Sequence, residues 1–351
     1  MAERFELAPG YSVCRVVNGL WQLSDGHRTR SVQPDEAVRD LLRLVDAGFT
    51  TFDCADIYLG VEELLGRLIR EPKRSRGVSS AIEIHTKYVP DRSTLATLEK
   101  TDVVAAIESS LGRLGVERLD LVQFHWWDYD QPGYVDVAGW LSELKDEGKI
   151  RNLGTTNFDL RHLRELVAAG IPIVTNQAQY SLLDRRADQA LTGFCSEHGV
   201  RLLCYGVLAG GFLSERYREG VEPQPPLANR SLAKYKLIID DFGGWRLFQE
   251  LLGSLGEIAA KHSASVASVA ARWVLDREGV AAAMIGTHSD AHLDDTRRVF
   301  DLRLDTEDFN RINSILDRAE GPHGEPFELE REPDGRHAKI MWTDLNRRRS
   351  S

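Results

Sequence analysis

Four residues that could carry acid–base chemistry stand at or just beyond the ends of strand-like runs. An aspartate closes one run and a tyrosine follows five positions later, while a lysine and a histidine close two further runs. Each has an ordinary structural explanation, because such residues also cap helices, cover apolar surface or pack beside tryptophans. Together in this order they favour a shared site for holding and moving a proton. The four residues are Asp53, Tyr58, Lys87 and His125.

The runs that precede these residues alternate with helical patterns along the whole chain. Eight strand-plus-helix units are expected, and a G-x-G-x-x-G turn, which an open doubly wound sheet should show after its first strand, is absent. The sequence therefore predicts an α/β fold, a closed (β/α)8 TIM barrel. In such a barrel the C-terminal ends of the strands meet at one face, which would bring the four residues together.

The predicted elements fill one domain, residues 1–320, followed by a polar C-terminal tail at 321–351. A long loop after strand 7, residues 206–241, is rich in Gly and Pro, and a loop of that length usually has a function such as a lid. Helical sequence resumes after Gly243. Strands are expected at 16–23, 49–53, 81–87, 119–125, 149–154, 172–176, 201–205 and 281–285. Helices are expected at 35–46, 61–70, 101–114, 134–147, 159–169, 186–198, 291–300 and 305–318.

Composition and charge exclude several classes of protein. The net charge of -10 is spread along the chain, and residues 347–349 (RRR) are its one compact basic run, so nucleic acid is not an expected partner. No apolar run is long enough to span a bilayer, and the N-terminus lacks a targeting pattern. The 4 cysteines show no C-x-x-C spacing, which favours reduced thiols over disulfides or zinc. A soluble cytoplasmic protein is expected.

The motifs around the four residues resemble those of the aldo-keto reductase superfamily, whose Asp, Tyr, Lys and His lie on successive barrel strands. Residues 52–55 (FDCA) with Tyr58, then residues 62–66 (EELLG), are similar to the family's second strand, loop and helix, with Cys replacing the usual Thr. The resemblance extends from about residue 19 to about residue 300. It implies an NAD(P)-dependent oxidoreductase that interconverts a carbonyl (aldehyde, ketone or aldose) and an alcohol by hydride transfer.

The resemblance also implies a role for each of the four residues. Tyr58 would be the general acid/base, because the neighbouring ammonium of Lys87 should lower the ordinary phenol pKa of ~10. Asp53 would hold Lys87 in place. His125 would be a neutral imidazole whose N–H points at the substrate oxygen and stabilises the charge that develops there.

Residues at the later strand ends match the family's nicotinamide site. Thr156 and Asn157 stand where the family usually has Ser-Asn for the carboxamide, and Gln177 can bond the same group through its amide. Tyr205 matches the aromatic residue that stacks on the nicotinamide ring. Alternatively, Asn157 only caps the following helix and Tyr205 belongs to the core.

Two further segments resemble the parts of the family that hold the rest of the dinucleotide. In the loop after strand 7, glycines would let backbone amides approach the pyrophosphate; the residues are Gly206, Leu208 and Gly210. After strand 8 the matching residues are Gly286, Thr287, His288 and Asp295.

The 2′-phosphate site departs from the family pattern. His288 stands where relatives often carry Arg or Lys, and Thr296 stands where they carry Asn. A neutral His offers a phosphate less than an Arg does, although Arg297 or Arg298 is an alternative source of charge. The cofactor is therefore NADPH or NADH, and we expect NADH to compete well.

An aromatic pocket mouth is expected from Trp21, Trp126 and Trp127, beside Tyr58. It suits a small-molecule carbonyl or sugar substrate, while the oligomeric state is left open. A second hypothesis is a cofactor-loaded regulatory subunit with little turnover. A metal-dependent barrel hydrolase or isomerase is disfavoured, because the strand ends supply one His beside a Lys and a Tyr, and no metal site is expected.

Overall fold

The computed structural model describes residues 2–24, 33–71, 82–188, 190–287, 289–343 and 345. A short antiparallel pair comes first, β1 Arg4–Ala8 and β2 Tyr11–Cys14. The barrel strands are β3 Val16–Gly19, β4 Thr51–Asp53, β5 Glu83–Tyr88, β6 Leu119–Phe124, β7 Ile150–Thr156, β8 Ile173–Gln179, β9 Arg201–Tyr205 and β10 Val280–Gly286. They close in the order β10-β3-β4-β5-β6-β7-β8-β9, all neighbours parallel. The predicted (β/α)8 barrel is confirmed.

Helices surround the barrel, and the first five begin and end within one residue of the predicted positions. Their amphipathic patterns explain this agreement: in the first helix Val38, Leu41 and Val45 face the core. The helices are α1 Pro34–Asp46, α2 Val61–Arg70, α3 Lys100–Leu114, α4 Tyr134–Asp146, α5 Leu160–Ala168, α6 Ala190–Glu197, α7 Arg230–Phe242, α8 Gly244–Lys261, α9 Val266–Leu275, α10 Leu293–Asp301, α11 Thr306–Leu316 and α12 Glu328–Arg331.

The C-terminal ends of the strands form one face of the barrel, which we call the mouth. The register of the strands determines which side chains meet there. Asp53 is opposite His85, and Lys87, two positions further along the same strand, is opposite Gln123. His85, the register partner of Asp53, points to the same side of the sheet as Asp53. Because alternate residues of a strand share a face, Lys87 points to that side as well. The mouth is therefore lined by polar side chains.

The opposite end of the barrel is closed by the β1–β2 hairpin, which was not predicted. Leu7, Tyr11 and Val13 are buried together with Leu121 and Leu203 of the barrel interior. The hairpin thus fills the end of the barrel that faces away from the mouth.

Two predicted elements are shorter than expected. The first barrel strand ends at Gly19, and a 3-10 turn over Trp21–Leu23 follows it, so Trp21 lies beyond the strand. Helix α6 is described from Ala190 and not from Arg186. Arg186 is instead buried in an ion pair with Asp184, at 2.7 Å, and this pair holds the preceding segment in turns.

The long loop after β9 contains a helix that was not predicted. Helix α7 begins after Asn229, whose side chain accepts a hydrogen bond from the backbone N–H of Leu232. Its buried face includes Ile238 and Phe242, and its Tyr235 lies against Gly206 and Gly210 of the loop after β9. The loop is therefore a folded cover.

Residues 325–343, which we call the C-terminal strap, cross the mouth. The strap starts at α5, where Glu325 accepts from the N–H of Leu160 at 3.3 Å. It ends beside the loop after β5, where the N–H of Arg92 donates to the carbonyl of Thr343 at 3.0 Å. Phe327 lies in it at 3% exposure. This described part of the predicted polar tail therefore packs against the barrel.

Candidate active site

Asp53, Lys87 and Tyr58 form one contiguous cluster at the mouth. The Nζ of Lys87 donates to Asp53 Oδ2 at 2.5 Å and to the carbonyl oxygen of Cys54 at 2.8 Å. It lies 3.5 Å from Tyr58 Oη. Asp53 and Lys87 are 4% and 6% exposed, so water and salt screen the ion pair only weakly. The lysine is fixed by two acceptors and points its third proton at the phenol.

A tight turn after β4 places Tyr58 next to this lysine. One oxygen of Asp56 accepts from the next backbone N–H of the turn at 2.8 Å, and the other accepts from the N–H of Val89 at 3.1 Å. Val89 directly follows β5, the strand that carries Lys87. Asp56 therefore fastens the loop that bears the phenol to the strand that bears the ammonium.

Two glutamines occupy the second oxygen of the Asp53 carboxylate. Gln123 and Gln177 both donate to Oδ1, at 2.9 and 2.8 Å, and the amide nitrogen of Gln177 also donates to Gln123 Oε1 at 2.8 Å. Both N–H groups of Gln177 are thus used, so it offers a ligand its carbonyl oxygen. Gln123 was not predicted, although it is a polar residue in an apolar strand, two positions before His125 and so on the same side.

The protonation of Tyr58 differs from the expectation of a lowered phenol pKa. Burial raises the pKa of Tyr58 to about 12, although the charge of Lys87 acts in the opposite direction. Burial also opposes the charge on Lys87, but Asp53 and Tyr58 outweigh it and hold the lysine pKa above its ordinary range. At neutral pH the pair is a protonated phenol beside a charged ammonium, which is the form that donates a proton.

His125 has one ring nitrogen bound and the other without a partner. Its Nδ1 lies 3.1 Å from the carbonyl oxygen of Thr156. A carbonyl only accepts, so the neutral ring carries its proton on Nδ1 and presents a lone pair at Nε2. Nε2 is buried and makes no hydrogen bond within the described chain. In this tautomer Nε2 is an acceptor, and the predicted hydrogen bond of His125 to a substrate oxygen stays a prediction.

The imidazole stays neutral over the physiological pH range. Burial, and then the charge of Arg331, lower the pKa of His125 to about 3. Only the hydrogen bond to Thr156 acts in the other direction. An imidazolium, which would donate from both nitrogens, is therefore not populated near pH 7.

Aromatic rings surround Tyr58 and His125. Trp21 meets Tyr58 edge to face with ring centres 4.8 Å apart, and Trp127 meets His125 in the same way at 4.3 Å. Phe327 of the strap adds a third ring, 5.4 Å from His125. Trp21 and Trp127 thus lie beside Tyr58 and His125, and their contact with a substrate stays a prediction.

Trp126 does not line the mouth, contrary to the prediction. It is fully buried, at 0% exposure, and packs against Phe124 and Tyr134. Its indole N–H donates to the carbonyl oxygens of Asp128 and Gln131. Consecutive residues of an extended segment point to opposite sides, so Trp126 and Trp127 cannot both face the pocket.

The predicted nicotinamide residues lie close together on the neighbouring strand ends. Tyr205 Oη donates to Asn157 Oδ1 at 2.8 Å, and Thr156 Oγ1 donates to the carbonyl of Gln177 at 3.3 Å. Asn157 has a left-handed backbone, φ 62, and it does not cap α5, because Asp159 is the cap. Tyr205 is half-buried at the end of its strand.

The glycine loop after β9 is covered by α7. A Cβ on Gly206 would lie 2.7 Å from Tyr235 Oη, and a Cβ on Gly210 would lie 2.8 Å from the same ring. Both glycines also have left-handed backbones, φ 74 and φ 65. Packing of Tyr235 therefore explains the glycines by itself. Contact of this loop, including Leu208, with a pyrophosphate stays a prediction.

The end of β10 faces the turn after β3. A Cβ on Gly286 would lie 2.2 Å from the amide of Gln22. Gln22 Oε1 is buried without a hydrogen-bond partner in the described chain. The N–H of Thr287 donates to the carbonyl of Gly19 at 2.8 Å. Gly286 therefore makes room for a polar side chain with one unused acceptor.

The predicted 2′-phosphate residues are only partly described. His288 lies outside the described residues. Asp295 is exposed on α10, and Arg297 lies on the same helix, 3.4 Å from Asp294. Arg298 is exposed on α10 as well.

Arg331 of the strap ties two strand-end loops together. Its guanidinium donates to the carbonyl oxygens of Trp126 at 2.8 Å, Trp127 at 3.2 Å and Asn157 at 2.9 Å. It also lies over the Tyr129 ring, 4.3 Å from its centre. The loop that carries His125 and the loop that carries Asn157 are thus joined by one cation. Nothing in the local sequence around Arg331 indicated this contact.

A buried group of charges fixes the strap beside Tyr205. Glu330 is 6% exposed and lies 3.1 Å from Lys234 of α7 and 3.6 Å from Arg186. Burial alone would raise the pKa of Glu330, but the two cations hold it at about 2. Lys234 Nζ lies 5.1 Å from the centre of the Tyr205 ring. The strap, the loop helix and the proposed nicotinamide side are therefore in contact.

The fold and the site together define a class: a closed (β/α)8 barrel with a buried Asp–Lys pair, a Tyr and a neutral His at its C-terminal face. The chain belongs to the aldo/keto reductase family, whose model matches residues 15–317. Members of this family interconvert carbonyls and alcohols with NAD(P)H and act on small carbonyl substrates, so the protein is an oxidoreductase of this general kind.

Individual relatives agree with this assignment. The aldo-keto reductase YhdN of Bacillus subtilis is 26% identical over 317 residues, 88% of this chain and 91% of the relative. The NADH-specific methylglyoxal reductase of Escherichia coli is 25% identical over 239 residues, 66% of this chain and 69% of the relative. The glycerol dehydrogenase AKR11B4 from Gluconobacter oxydans superimposes with a TM-score of 0.72 at 25% identity, over 90% of this chain and 95% of that one. Within the described residues, no helix combines the length and apolarity needed to cross a membrane.

Proposed function

We propose that this protein reduces small aldehydes or ketones with NADH or NADPH, and that Tyr58 donates the proton. The observation that carries the proposal is the cluster in which Lys87 Nζ lies 2.5 Å from Asp53 and 3.5 Å from Tyr58 Oη. A phenol with a pKa of about 12 is protonated at neutral pH. As negative charge develops on the carbonyl oxygen, Tyr58 gives up its proton and the adjacent ammonium stabilises the phenolate that forms.

The residues on the other side of the mouth fit a nicotinamide cofactor, which when bound supplies the hydride for the carbonyl carbon. Gln177 can accept from the carboxamide through its oxygen, because both its N–H groups are bound to Asp53 and Gln123. Asn157 would bond the same group, and Tyr205 would stack on the ring. The unpartnered acceptor of Gln22, beside Gly286, supports a polar ligand between the first and last barrel strands.

The test is the variant Tyr58→Phe, which keeps the ring that packs against Trp21 and removes the proton donor. Reduction should fall by at least about a hundredfold, the lower range for general acid catalysis, while the cofactor dissociation constants change little. Turnover is followed by loss of reduced-nicotinamide absorbance with NADH and NADPH separately, across aldehydes and ketones. Tyr217→Phe is the matched control, at a ring that packs against Phe212 with ring centres 4.7 Å apart.

Three outcomes are informative. Loss of turnover in Tyr58→Phe alone supports the proposal, and near-normal turnover in that variant refutes the role of Tyr58. A wild-type protein that binds the cofactor tightly but reduces nothing in the panel would favour the regulatory-subunit hypothesis.

A further inference from the structure

Glu62 carries a buried carboxylate that takes no direct part in the proposed reaction. It lies in the first turn of α2 at 0% exposure, and a buried charge is costly unless it is paired and hydrogen-bonded. Two side chains from other elements bind it. The hydroxyl of Thr86 donates to Oε1 at 2.6 Å, and Nε of Arg113, on α3, donates to Oε2 at 2.5 Å. The carboxylate therefore joins α2 to both α3 and β5.

The hydrogen bond to Thr86 ties the segment of Tyr58 to the strand of Lys87. Thr86 directly precedes Lys87, and Glu62 follows Tyr58 by four positions. Because neighbouring residues of a strand point to opposite faces, Thr86 points to the helices while Lys87 points to the mouth. The N–H of Val61 donates to the carbonyl of Tyr58 at 3.1 Å, so α2 begins directly after the phenol. Glu62 thus fastens this helix start to β5.

A second buried carboxylate fastens the same two segments on the other side of Tyr58. Asp56, two positions before Tyr58, accepts from the N–H of Val89, two positions after Lys87, at 3.1 Å. The backbone N–H of Asp56 also donates to the carbonyl of Lys87 at 3.2 Å. Together with Glu62, these bonds hold the segment of the phenol against β5 at points before and after Tyr58.

The distance between phenol and ammonium depends on this attachment. Tyr58 Oη and Lys87 Nζ lie 3.5 Å apart, at the long end of the hydrogen-bond range. Lys87 is held by Asp53 and by the carbonyl oxygen of Cys54, so it does not follow the phenol when the phenol moves. The largest charge effects on the pKa of Tyr58 come from Lys87 and Asp53. Glu62 therefore acts on the phenol through geometry.

We propose that Glu62 is a positioning residue for proton donation, which keeps Tyr58 Oη within reach of Lys87 Nζ through its hydrogen bond to Thr86. The inference rests on the proposed function and adds a residue that its reaction does not use directly. At 0% exposure Glu62 offers a ligand no surface, so its effect is transmitted through β5 and the start of α2. The carboxylate neither gains nor loses a proton in the reaction.

Thr86→Val tests the inference, because it removes the hydroxyl and leaves the ion pair of Glu62 and Arg113. The single-turnover rate of reduction should fall by about ten- to a hundredfold, since a misplacement of about 1 Å can cost a hundredfold. The cofactor dissociation constant should stay within about threefold. The solvent deuterium isotope effect on the rate should increase, because proton transfer slows more than hydride transfer. Thr86→Ser keeps the hydroxyl and should restore the rate to within about threefold of wild type.

Thr50→Val is the matched control, the same change at the opposite end of the barrel. Thr50 and Thr86 are both 1% exposed. The Thr50 hydroxyl also donates to a carboxylate that pairs with an arginine: Glu83 accepts from it at 2.8 Å and lies 2.7 Å from Arg4. The control should lose a similar amount of stability in urea unfolding, because a buried carboxylate again loses one donor. It should keep the wild-type rate and isotope effect.

The outcomes separate this inference from the proposed function. A Thr86→Val enzyme with the wild-type rate, a loss that Thr50→Val reproduces, or a Thr86→Ser enzyme that stays slow would each overturn the inference. Tyr58→Phe is measured in the same assay. If Tyr58→Phe keeps its turnover, the proposed function fails and the inference fails with it. If Tyr58→Phe is inactive while Thr86→Val is fully active, only the inference fails.

A measurement on the wild-type protein does not require any variant to fold. Native-state hydrogen exchange reports the local opening of single amides. The amide of Asp56 is bonded to the carbonyl of Lys87, and the amide of Val89 is bonded to the carboxylate of Asp56. Both should exchange as slowly as the amides inside β5. Exchange of both amides at least about a hundredfold faster would show that the segment opens separately from the strand, which would overturn the inference.

Discussion

Replacing Lys87 by Met tests how much the buried ammonium contributes to proton donation. Between Lys87 Nζ and Tyr58 Oη the distance is 3.5 Å, and at an effective dielectric constant of about 20 a full phenolate charge is stabilised there by about 4–5 kcal/mol. If about half of that charge is present in the transition state, the barrier rises by about 2 kcal/mol. This corresponds to a fall in kcat of about thirtyfold.

The same substitution should also destabilise the fold. Asp53, at 4% exposure, would keep its two glutamine donors and lose its counter-ion, and breaking a buried ion pair costs about 3–5 kcal/mol. The folded-state pKa of Lys87 is raised, so its contribution to stability is complete below the ordinary lysine pKa and is lost as pH rises through the folded value. The destabilisation should therefore be fully expressed at pH 7.

The assay is single-turnover reduction at saturating aldehyde, followed by nicotinamide absorbance, together with urea unfolding of the same samples. Lys261→Met is the control, because this lysine is also ion-paired, with Asp305 at 2.7 Å, Asp308 at 2.9 Å and Glu307 at 3.8 Å, but lies on α8 away from the mouth. It should lose little stability, as it is 40% exposed, and keep its kcat. A Lys87→Met enzyme within about threefold of wild type in kcat would refute the electrostatic reasoning.

Two further predictions concern the cofactor and the strap. His288→Arg should tighten NADPH binding by roughly 1–3 kcal/mol and leave NADH little changed; dissociation constants from fluorescence quenching at fixed ionic strength test this, and a wild type that already strongly prefers NADPH would contradict it. Arg331→Met should raise the pKa of His125, because a cation that lowers it is removed, so the protonated ring appears at higher pH in NMR titration. Arg336→Met, on the same strap but 52% exposed, should leave that titration unchanged.

The barrel and the position of Tyr58 beside Lys87 could be predicted because both depend on local patterns. Each barrel strand was predicted from a strand-like run of about five to eight residues bounded by turn residues, and the closing residue of such a run lies at the mouth whatever the helices do. Asp53, Lys87 and His125 all stand at such ends. Tyr58 follows at a spacing that a single turn accounts for.

The strap, helix α7 and the tautomer of His125 could not be predicted, because each depends on contacts between distant residues. The strap is polar in sequence, yet Glu330 is buried. It pairs with two cations, Lys234 and Arg186, which lie 96 and 144 positions earlier in the chain. Hydrophobic periodicity gives no sign of an ion pair of this kind. The proton of His125 is likewise placed by Thr156 O, a backbone group on the next strand.

These distant contacts divide the mouth into two halves that are joined at two points. Gln177, on the proposed nicotinamide side, donates a hydrogen bond to Asp53, the carboxylate that holds Lys87. A displacement of Gln177 would therefore also displace this carboxylate. Arg331 joins the loops of His125 and Asn157, so His125 and the proposed nicotinamide side are also held in a fixed relative position. In the proposed reaction the hydride and the proton must reach neighbouring atoms of one carbonyl, so small errors in their relative placement lower the rate strongly. Buried hydrogen bonds that fix the two halves of the mouth to each other therefore keep this relative placement constant, although the loops that carry the residues are separate in sequence.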